Sequence, residues 1–229
     1  MLQAVIFDMN GVIIDDERFQ KQAWRRYLEA HNIKISEDEF KYYINGRTEK
    51  DGLKYIYKDT LSPEEQEKIL DERIGYVIEI VSERLQLTEG LAELLNELYD
   101  NNIATAIATG SRQRYFNFIM DGLQIRKYFN TFVTANDINK GKPDPEIYLK
   151  SAEKLKVMPT ECLVFEDAIS GIQAAKKAGM KVIGVATTHQ KEELAIADYT
   201  ISTFQEINLE KLRRIVNTVK LTSLQDIQA

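Results

Sequence analysis

The sequence predicts an α/β fold in which a parallel sheet carries helices on both faces. Two observations indicate this fold: short apolar runs recur along the chain, and each is followed by a stretch with helical periodicity. Strands that alternate with helices are typical of parallel sheets, which bind ligands at the carboxyl ends of their strands. The chain has 229 residues, 44% of them hydrophobic, and is therefore long enough to bury a substantial core.

The strands are predicted from apolar segments rich in β-branched and aromatic residues. In chain order they are AVIFD (4–8), ATAIAT (104–109), TFVTA (131–135), LVFE (163–166), KVIGVA (181–186) and YTI (199–201). Amphipathic stretches such as GLAELLNELYDN and AISGIQAAKKAG lie between them and are predicted to be helices. The second of these ends at Gly179, which is typical of a helix C-terminus.

Residues 16–87 interrupt this alternation, because they contain helical patterns and no convincing strand. SEDEF and SPEEQ open like capped helices, the latter with Pro63 in its first turn. Six of the eleven tyrosines and the only tryptophan, Trp24, lie in this segment, and we expect these aromatic side chains to form its core. We therefore predict a core domain of residues 1–15 and 88–229, with a helical domain of residues 16–87 inserted after the first strand.

Composition narrows the classes of function. The net charge of −6 and the pI near 5.2 argue against broad binding to nucleic acid or anionic membranes. The apolar runs are far shorter than the ~20 residues of a membrane span, and the N-terminal stretch does not resemble a signal peptide. One cysteine, Cys162, permits no intrachain disulfide and fits a reducing compartment. We expect a cytoplasmic monomer with Cys162 in its core, which binds neither nucleic acid nor membranes.

Four short polar stretches follow predicted strands, at the edge of the sheet where the carboxyl ends meet. They are Asp8 with Asn10; Thr109, Gly110 and Ser111; Lys142 in KGKPDPEIY; and Glu166 with Asp167 in VFEDAISG. Each stretch alone has an ordinary explanation, such as a helix cap, a surface lysine before a turn, a buried strand residue or a solvated turn. Their order, each after its own strand, indicates a single site.

The chemistry of these side chains suits phosphoryl transfer. Asp8 can act as a nucleophile and form an aspartyl-phosphate. Because a dianionic substrate repels that carboxylate, positive charge must neutralise both, and Mg²⁺ does so with carboxylate, carbonyl and water ligands. Asp8 and Asp167 are the candidate carboxylate ligands, and Lys142 would add a compact cation beside the phosphoryl oxygens. The Thr109 hydroxyl and nearby backbone N–H groups would hold a further phosphate oxygen.

These motifs, in this order and with this insert, resemble the haloacid dehalogenase superfamily, and most of all its β-phosphoglucomutase-like and phosphoglycolate-phosphatase-like branch. The resemblance runs from FDMNGV to GVATTH. It implies a Rossmann-like three-layer core, a mobile helical cap, a Mg²⁺ cofactor and a small phosphorylated substrate, with a sugar phosphate favoured. The roles that it implies are nucleophile and metal ligand for Asp8, a metal-binding carbonyl for Asn10, phosphate binding for Thr109, Gly110 and Ser111, charge stabilisation for Lys142, metal binding for Asp167, and arrangement of metal-bound water for Glu166.

Position 10 departs from the family pattern, in which an aspartate protonates the leaving oxygen and then helps to deprotonate water. Asn10 keeps the backbone carbonyl and nearly the same shape but cannot carry a proton, which predicts a loss of roughly 10²–10⁴-fold in rate. Three explanations stay open. The asparagine is native, in an enzyme that is slow, specialised for good leaving groups or served by another proton donor; it is an introduced change that traps an intermediate; or the protein binds phosphate esters without turnover.

The predicted cap departs from the pattern as well. Gln20 stands where β-phosphoglucomutase-like members usually carry a histidine, which counts against mutase chemistry, the alternative reaction. The segment INGRTEKDGL matches the branch's cap loop. Arg47 and Lys50 are its candidate substrate-binding cations, with a solvated helix start as an equal alternative. His189, in VATTHQKEEL, is interpreted as a residue at a helix start rather than a catalytic one.

Overall fold

The computed structural model describes residues 1–44 and 48–217, which form two compact units. One unit contains Met1–Asp15 together with the chain from Gln86 onward, and the other contains Asp16–Leu85. The first unit is an α/β structure, and the second is helical. The predicted fold class, a Rossmann-like core with an inserted helical domain, is therefore confirmed.

Helices and one π-helical turn make up the described part of the second unit. In chain order they are α1 (Glu17–Ala30), α2 (Glu37–Glu39), the π-helical turn Phe40–Ile44, α3 (Glu49–Tyr57) and α4 (Pro63–Ser82). Ser36 and Ser62 form capping boxes at the starts of α2 and α4, as the sequence patterns predicted. The helix that SEDEF was expected to open is α-helical only as far as Glu39, and Phe40–Ile44 form a wider π-helical turn.

This helical unit has its own core, in which α1 packs against α4. The buried side chains of that core are Trp24, Tyr27, Leu28, Phe40, Ile44, Leu53 and Leu70. The expected aromatic core is thus confirmed for Trp24 and Tyr27, whereas Tyr42 and Tyr43 are exposed.

A buried arginine joins three helices of the same unit. Arg73 of α4 donates a hydrogen bond to Gln20 Oε1 of α1 at 2.9 Å and another to Glu49 at the start of α3. Its guanidinium also lies 5.1 Å from the ring centroid of Trp24. Gln20 in turn donates to Asp16 Oδ2 at 2.8 Å. Because Arg73 is only 4% exposed, water cannot stabilise its charge, and these partners do so instead.

The first unit is built on a parallel sheet. Its strands are β1 (Ala4–Phe7), β2 (Ala104–Ala108), β3 (Thr131–Val133), β4 (Cys162–Glu166), β5 (Lys181–Val185) and β6 (Tyr199–Ile201). Within the described residues their order is β3-β2-β1-β4-β5-β6, and every neighbouring pair is parallel. The strand order reverses at β1, and such a switch point is where open α/β sheets bind ligands, at the carboxyl ends of the strands.

Helices cover this sheet on both faces. They are α5 (Leu91–Asp100), α6 (Gln113–Gly122), α7 (Glu146–Leu155), α8 (Ile169–Lys177) and α9 (Leu209–Asn217). The helices α7 and α8 share one buried core with Ile6, Val164 and other sheet residues of the same face. On the opposite face Phe7 stacks on Phe165, and Phe165 contacts Phe204. Cys162 is fully buried, as expected.

Within residues 1–44 and 48–217, no helix combines the length and the apolar composition that a transmembrane segment needs.

Candidate active site

Asp8 lies one residue past the end of the central strand β1. The four residues before it, AVIF, are fully buried, and the Asp8 backbone N–H still donates to Phe165 O of β4 at 3.0 Å. This hydrogen bond fixes the backbone from which the carboxylate projects. The Asp8 carboxylate accepts a hydrogen bond from Lys142 Nζ at 2.6 Å, and the same ammonium group donates to Glu166. Sequence positions 8 and 142 are thus brought into direct contact.

Asp8, Glu166 and Asp167 form a cluster of carboxylates. Glu166 is the last residue of β4, and Asp167 follows it beside the end of β1. One carboxylate oxygen from each residue lies within 4.8 Å of those of the other two. Asp8 is 7% exposed, Glu166 1% and Asp167 6%, so this negative charge is largely withdrawn from water.

Glycines provide the space that two of these carboxylates occupy. A Cβ atom at Gly11, whose φ is +74°, would lie 2.1 Å from Asp167 Oδ2. A Cβ atom at Gly171 would lie 1.7 Å from Glu166 Oε1. Neither carboxylate could keep its place beside a side chain at these positions, so FDMNGV and EDAISG need their glycines for the geometry of the cluster.

Burial dominates the protonation of the site. It raises the pKa of Asp8 to about 7, although Lys142 acts in the opposite direction. Burial, together with the charges of Glu166 and Asp8, raises the pKa of Asp167 well above its usual range. Burial alone would lower the pKa of Lys142, but the charges of Asp8 and Glu166 outweigh it and raise that pKa, so the ammonium stays protonated.

The donor set fits a divalent cation. When ionised, the three carboxylates carry three negative charges and Lys142 carries one positive charge, which leaves two negative charges without a counter-charge in this cluster. Carboxylate oxygens are the ligands that Mg²⁺ prefers, and a buried pair of uncompensated charges favours a doubly charged ion. The residues that could hold such an ion are Asp8, Glu166 and Asp167.

The loop after β2 approaches the site from the neighbouring strand. Thr109 is fully buried, and its N–H donates to Val133 O at 2.9 Å. Its hydroxyl oxygen accepts from the Ser111 N–H at 3.0 Å, while the Ser111 hydroxyl donates to Asn10 Oδ1 at 2.5 Å. Space is open where a Cβ atom of Gly110 would stand. The structure therefore brings Ser111 to Asn10, and it links Thr109 to the same loop.

The predicted cap residues belong to the helical unit. Lys50 is exposed and is the second residue of α3, whose N-terminus is capped by the Thr48 hydroxyl. This placement agrees with the simple alternative of a solvated helix start. Arg47 lies outside the described residues.

Three residues near the cluster were missed or misread from the sequence. The Tyr148 hydroxyl of α7 is buried and donates to Glu166 Oε1 at 2.7 Å. The Thr188 hydroxyl donates to Asp167 Oδ2 at 2.7 Å. The interpretation of His189 as a residue at a helix start is wrong, because residues 186–198 form turns and bends between β5 and β6. The chain turns back there so that the buried side chain of Leu194 packs over Gly184 of β5.

Comparisons with known proteins agree with this geometry. The sequence model of the haloacid dehalogenase-like hydrolase family matches residues 5–185. A phosphorylated-carbohydrates phosphatase of Thermotoga maritima is 37% identical over 187 residues, which are 80% of this chain and 84% of that protein. The beta-phosphoglucomutase of Bacillus subtilis is 31% identical over 218 residues, covering 92% of this chain and 94% of that protein. The crystal structure of a HAD hydrolase, family IA, variant 3, from Entamoeba histolytica is similar with a TM-score of 0.88 at 32% identity, and the match covers 95% of this chain and 100% of that one.

The match to the family extends from the strand before Asp8 to the end of β5 and so includes every residue of the carboxylate cluster. The resemblance inferred from the motifs is therefore confirmed, and so is the prediction of an enzyme of the phosphoric monoester hydrolase class. This chain belongs to the haloacid dehalogenase-like hydrolase family.

Proposed function

We propose that this chain is a Mg²⁺-dependent phosphatase that hydrolyses a small phosphorylated metabolite through an aspartyl-phosphate on Asp8. The observation that carries the proposal is the contact between Asp8 and Lys142 beside Glu166 and Asp167, at the carboxyl ends of the central strands. A sugar phosphate is the favoured substrate, which the relative named for phosphorylated carbohydrates supports. The lone, buried Cys162 supports a cytoplasmic location.

In this proposal Asp8, Glu166, Asp167 and the carbonyl of Asn10 hold the Mg²⁺. When bound, the ion supplies positive charge that offsets the repulsion between a carboxylate and a dianionic phosphate. Lys142 contributes a further positive charge that is already in place, because two carboxylates keep its ammonium protonated and oriented. This arrangement is electrostatic preorganisation, since the charges need no rearrangement when the phosphoryl group arrives.

The reaction itself is a displacement followed by hydrolysis. A carboxylate oxygen of Asp8 attacks phosphorus, the bond to the leaving oxygen breaks, and that oxygen keeps the electron pair. The Thr109 hydroxyl and the Gly110 N–H hold phosphoryl oxygens, and Ser111, whose hydroxyl and N–H donate to Asn10 and Thr109, holds this loop in place beside them. Water then attacks phosphorus, which releases inorganic phosphate and restores the Asp8 carboxylate.

Asn10 limits this sequence of steps. Its side-chain oxygen accepts a hydrogen bond from Ser111, and its amide N–H₂ group can only donate. That N–H₂ group can donate a hydrogen bond to the leaving oxygen but cannot transfer a proton to it. We therefore propose that leaving groups that depart as stable anions are turned over best, and that sugar phosphates react slowly unless another group supplies the proton.

A phosphosugar mutase is the second candidate, and the identity to the beta-phosphoglucomutase of Bacillus subtilis favours it. Two residues count against it. Asn10 cannot move protons, and the Gln20 side chain is engaged by Asp16 and Arg73 instead of offering an imidazole. Substrate selection by Arg47 and Lys50 stays a prediction.

The proposal is tested by assaying released phosphate from an aryl phosphate and from a panel of sugar phosphates, with Mg²⁺ and with a chelator. We expect turnover only with Mg²⁺, and none after Asp8→Asn, which keeps the shape of the side chain and removes the nucleophile. Turnover by the Asp8→Asn variant would contradict the mechanism. Conversion of one sugar monophosphate isomer into another, in the presence of a bisphosphorylated sugar, would favour the mutase. Substrate binding without turnover, with or without Mg²⁺, would favour a phosphate-ester binding protein.

A further inference from the structure

The segment Thr187–His189, which follows β5 closely, lies beside the carboxylate cluster and contacts it through its side chains. The Thr188 hydroxyl oxygen lies 2.7 Å from Asp167 Oδ2 and 3.0 Å from the Asp167 backbone oxygen. His189 Nδ1 lies 3.0 Å from that same backbone oxygen and 2.9 Å from Thr188 Oγ1. The Thr187 hydroxyl donates to Gly11 O at 2.5 Å. Consecutive side chains therefore reach both Asp167 and the glycine against which its carboxylate lies.

The hydrogen atoms of this arrangement can be assigned by counting donors. Thr188 has one hydroxyl proton, and three acceptor or ambivalent atoms surround it. The Asp167 backbone oxygen can only accept, so its 3.0 Å contact with His189 Nδ1 is a hydrogen bond in the tautomer that carries a proton on Nδ1. With that proton in place, the Thr188 proton is free for the shortest of its contacts, the one to Asp167 Oδ2. The side chain and the main chain of Asp167 then each receive one hydrogen bond.

We propose that Thr188 and His189 are positioning residues that hold Asp167 in the orientation in which it can bind a divalent cation. This inference rests on the function proposed above, because it concerns the same acidic cluster. Partners behind a ligand fix its direction and are needed for full metal affinity. Here they act on a carboxylate that the charges of Asp8 and Glu166 repel, and that would otherwise turn away from them.

The chemical type of the donor also matters. A lysine or arginine at position 188 would neutralise Asp167 and compete with a metal ion for it. A hydroxyl group restrains the carboxylate by a hydrogen bond and leaves its negative charge available. Thr188 is thus suited to hold a metal ligand.

The inference is tested by measuring the dissociation constant of Mg²⁺ by calorimetry, without substrate. Thr188→Val keeps the shape and removes the donor, and we expect Mg²⁺ to bind about 10–100-fold more weakly. Thr188→Ser keeps the hydroxyl group and should restore most of the affinity. The control is Thr105→Val, which removes the hydroxyl donor of a buried threonine elsewhere, the one that bonds Tyr128 O near the start of β2. It should lower stability without changing the affinity for Mg²⁺.

The His189 contact is tested separately. His189→Phe removes the donor and should weaken Mg²⁺ binding, whereas His189→Asn places an N–H₂ group near the position of Nδ1 and should restore it. The ¹⁵N chemical shifts of the imidazole should show a proton on Nδ1 even without metal. The chain has only two histidines, so a His31→Asn variant assigns the signals.

The results separate this inference from the proposed function. Mg²⁺ affinity that is unchanged by Thr188→Val and by His189→Phe, in a chain that binds Mg²⁺ and hydrolyses phosphate esters, would overturn the positioning role alone. An equal loss in the Thr105→Val control would also overturn it. A chain that binds no Mg²⁺ before any substitution would overturn both proposals. Should Thr188→Val fail to fold, the comparison of His189→Phe with His189→Asn decides the question.

Discussion

Introducing a carboxyl group at position 10 probes the chemistry of this site more sharply than removing a residue. In Asn10→Asp the side-chain oxygen can still accept from Ser111, because a carboxylate accepts the hydrogen bond that the amide oxygen accepts now. The hydrogen bond from the loop after β2 should therefore be kept. The new group no longer offers an N–H₂ donor and is negatively charged when ionised, but unlike the amide it can carry a proton to and from the reacting oxygen atoms.

The expected gain follows from the ability of the carboxyl group to transfer a proton. A positioned general acid and base contributes roughly 10²–10⁴-fold in rate, which corresponds to about 2.7–5.4 kcal/mol of transition-state stabilisation at 1.36 kcal/mol per tenfold change. The negative charges of the neighbouring carboxylates favour the protonated form of an added carboxyl group, which is the form that a general acid needs. The gain should be large for sugar phosphates, whose alkoxide leaving groups need a proton, and small for aryl phosphates.

The assay compares kcat/KM of the unchanged chain and of Asn10→Asp on a sugar phosphate and on an aryl phosphate, with Mg²⁺ present. Asn117→Asp is the matched control. The Asn117 side-chain oxygen also accepts hydrogen bonds, from Gln113 and Arg126, and the substitution adds the same charge away from the site. It should leave both rates unchanged. Equal rates of the unchanged chain and Asn10→Asp on sugar phosphates would refute the reasoning and show that another residue moves the proton.

Further predictions concern three other sites. Gly11→Ala should displace the Asp167 carboxylate, which a Cβ atom would approach to 2.1 Å, and should abolish Mg²⁺-dependent stabilisation in thermal unfolding. Arg73→Ala should lower the free energy of unfolding by about 1.5–3 kcal/mol, because it removes the hydrogen bonds of a buried guanidinium to Gln20 and to the partly exposed Glu49, whereas Lys54→Ala, at an exposed pair, should cost about 0–1 kcal/mol in urea titrations. Burial raises the pKa of the Cys162 thiol to about 12, so disulfide reagents near neutral pH should label it only after unfolding.

Contrary results for these predictions are easily distinguished. Full Mg²⁺ binding by Gly11→Ala would show that Asp167 is not held where the structure has it. Similar losses for Arg73→Ala and Lys54→Ala would show that the buried guanidinium contributes no more than a surface charge. Rapid labelling of native Cys162 would show that β4 opens locally at its first residue.

The fold was predictable because the pattern of apolar residues differs between buried strands and amphipathic helices. The exact ends of the strands were less predictable. Asp8 and Thr109 still donate hydrogen bonds to neighbouring strands, but each lies one residue beyond the end of its own strand. The sequence pattern places these polar residues at the ends of strands, and their chemical roles can be inferred without knowing the exact last residue of each strand. The positions of Lys142 and Glu166 could be inferred from motif order, although their distances could not.

The sequence did not predict the residues that contact the carboxylates from other segments of the chain. The helical period places Tyr148 on the buried face of α7 but gives no reason for its hydroxyl to reach Glu166. Likewise, the helical propensity of QKEEL supported a helix after His189, and local propensity was overridden by the packing of Leu194 against β5. Such contacts join segments far apart in the chain, and local patterns carry no information about them.

The central claim is that Asp8 itself carries the phosphoryl group. It is tested most directly by quenching the enzyme with denaturant during turnover of an aryl phosphate, reducing any acyl phosphate with borohydride, and sequencing the N-terminal peptide by mass spectrometry. Because Asn10 slows the attack of water, the intermediate should accumulate, and we predict homoserine at position 8. An unmodified Asp8 during steady turnover, or label at another residue, would contradict the account.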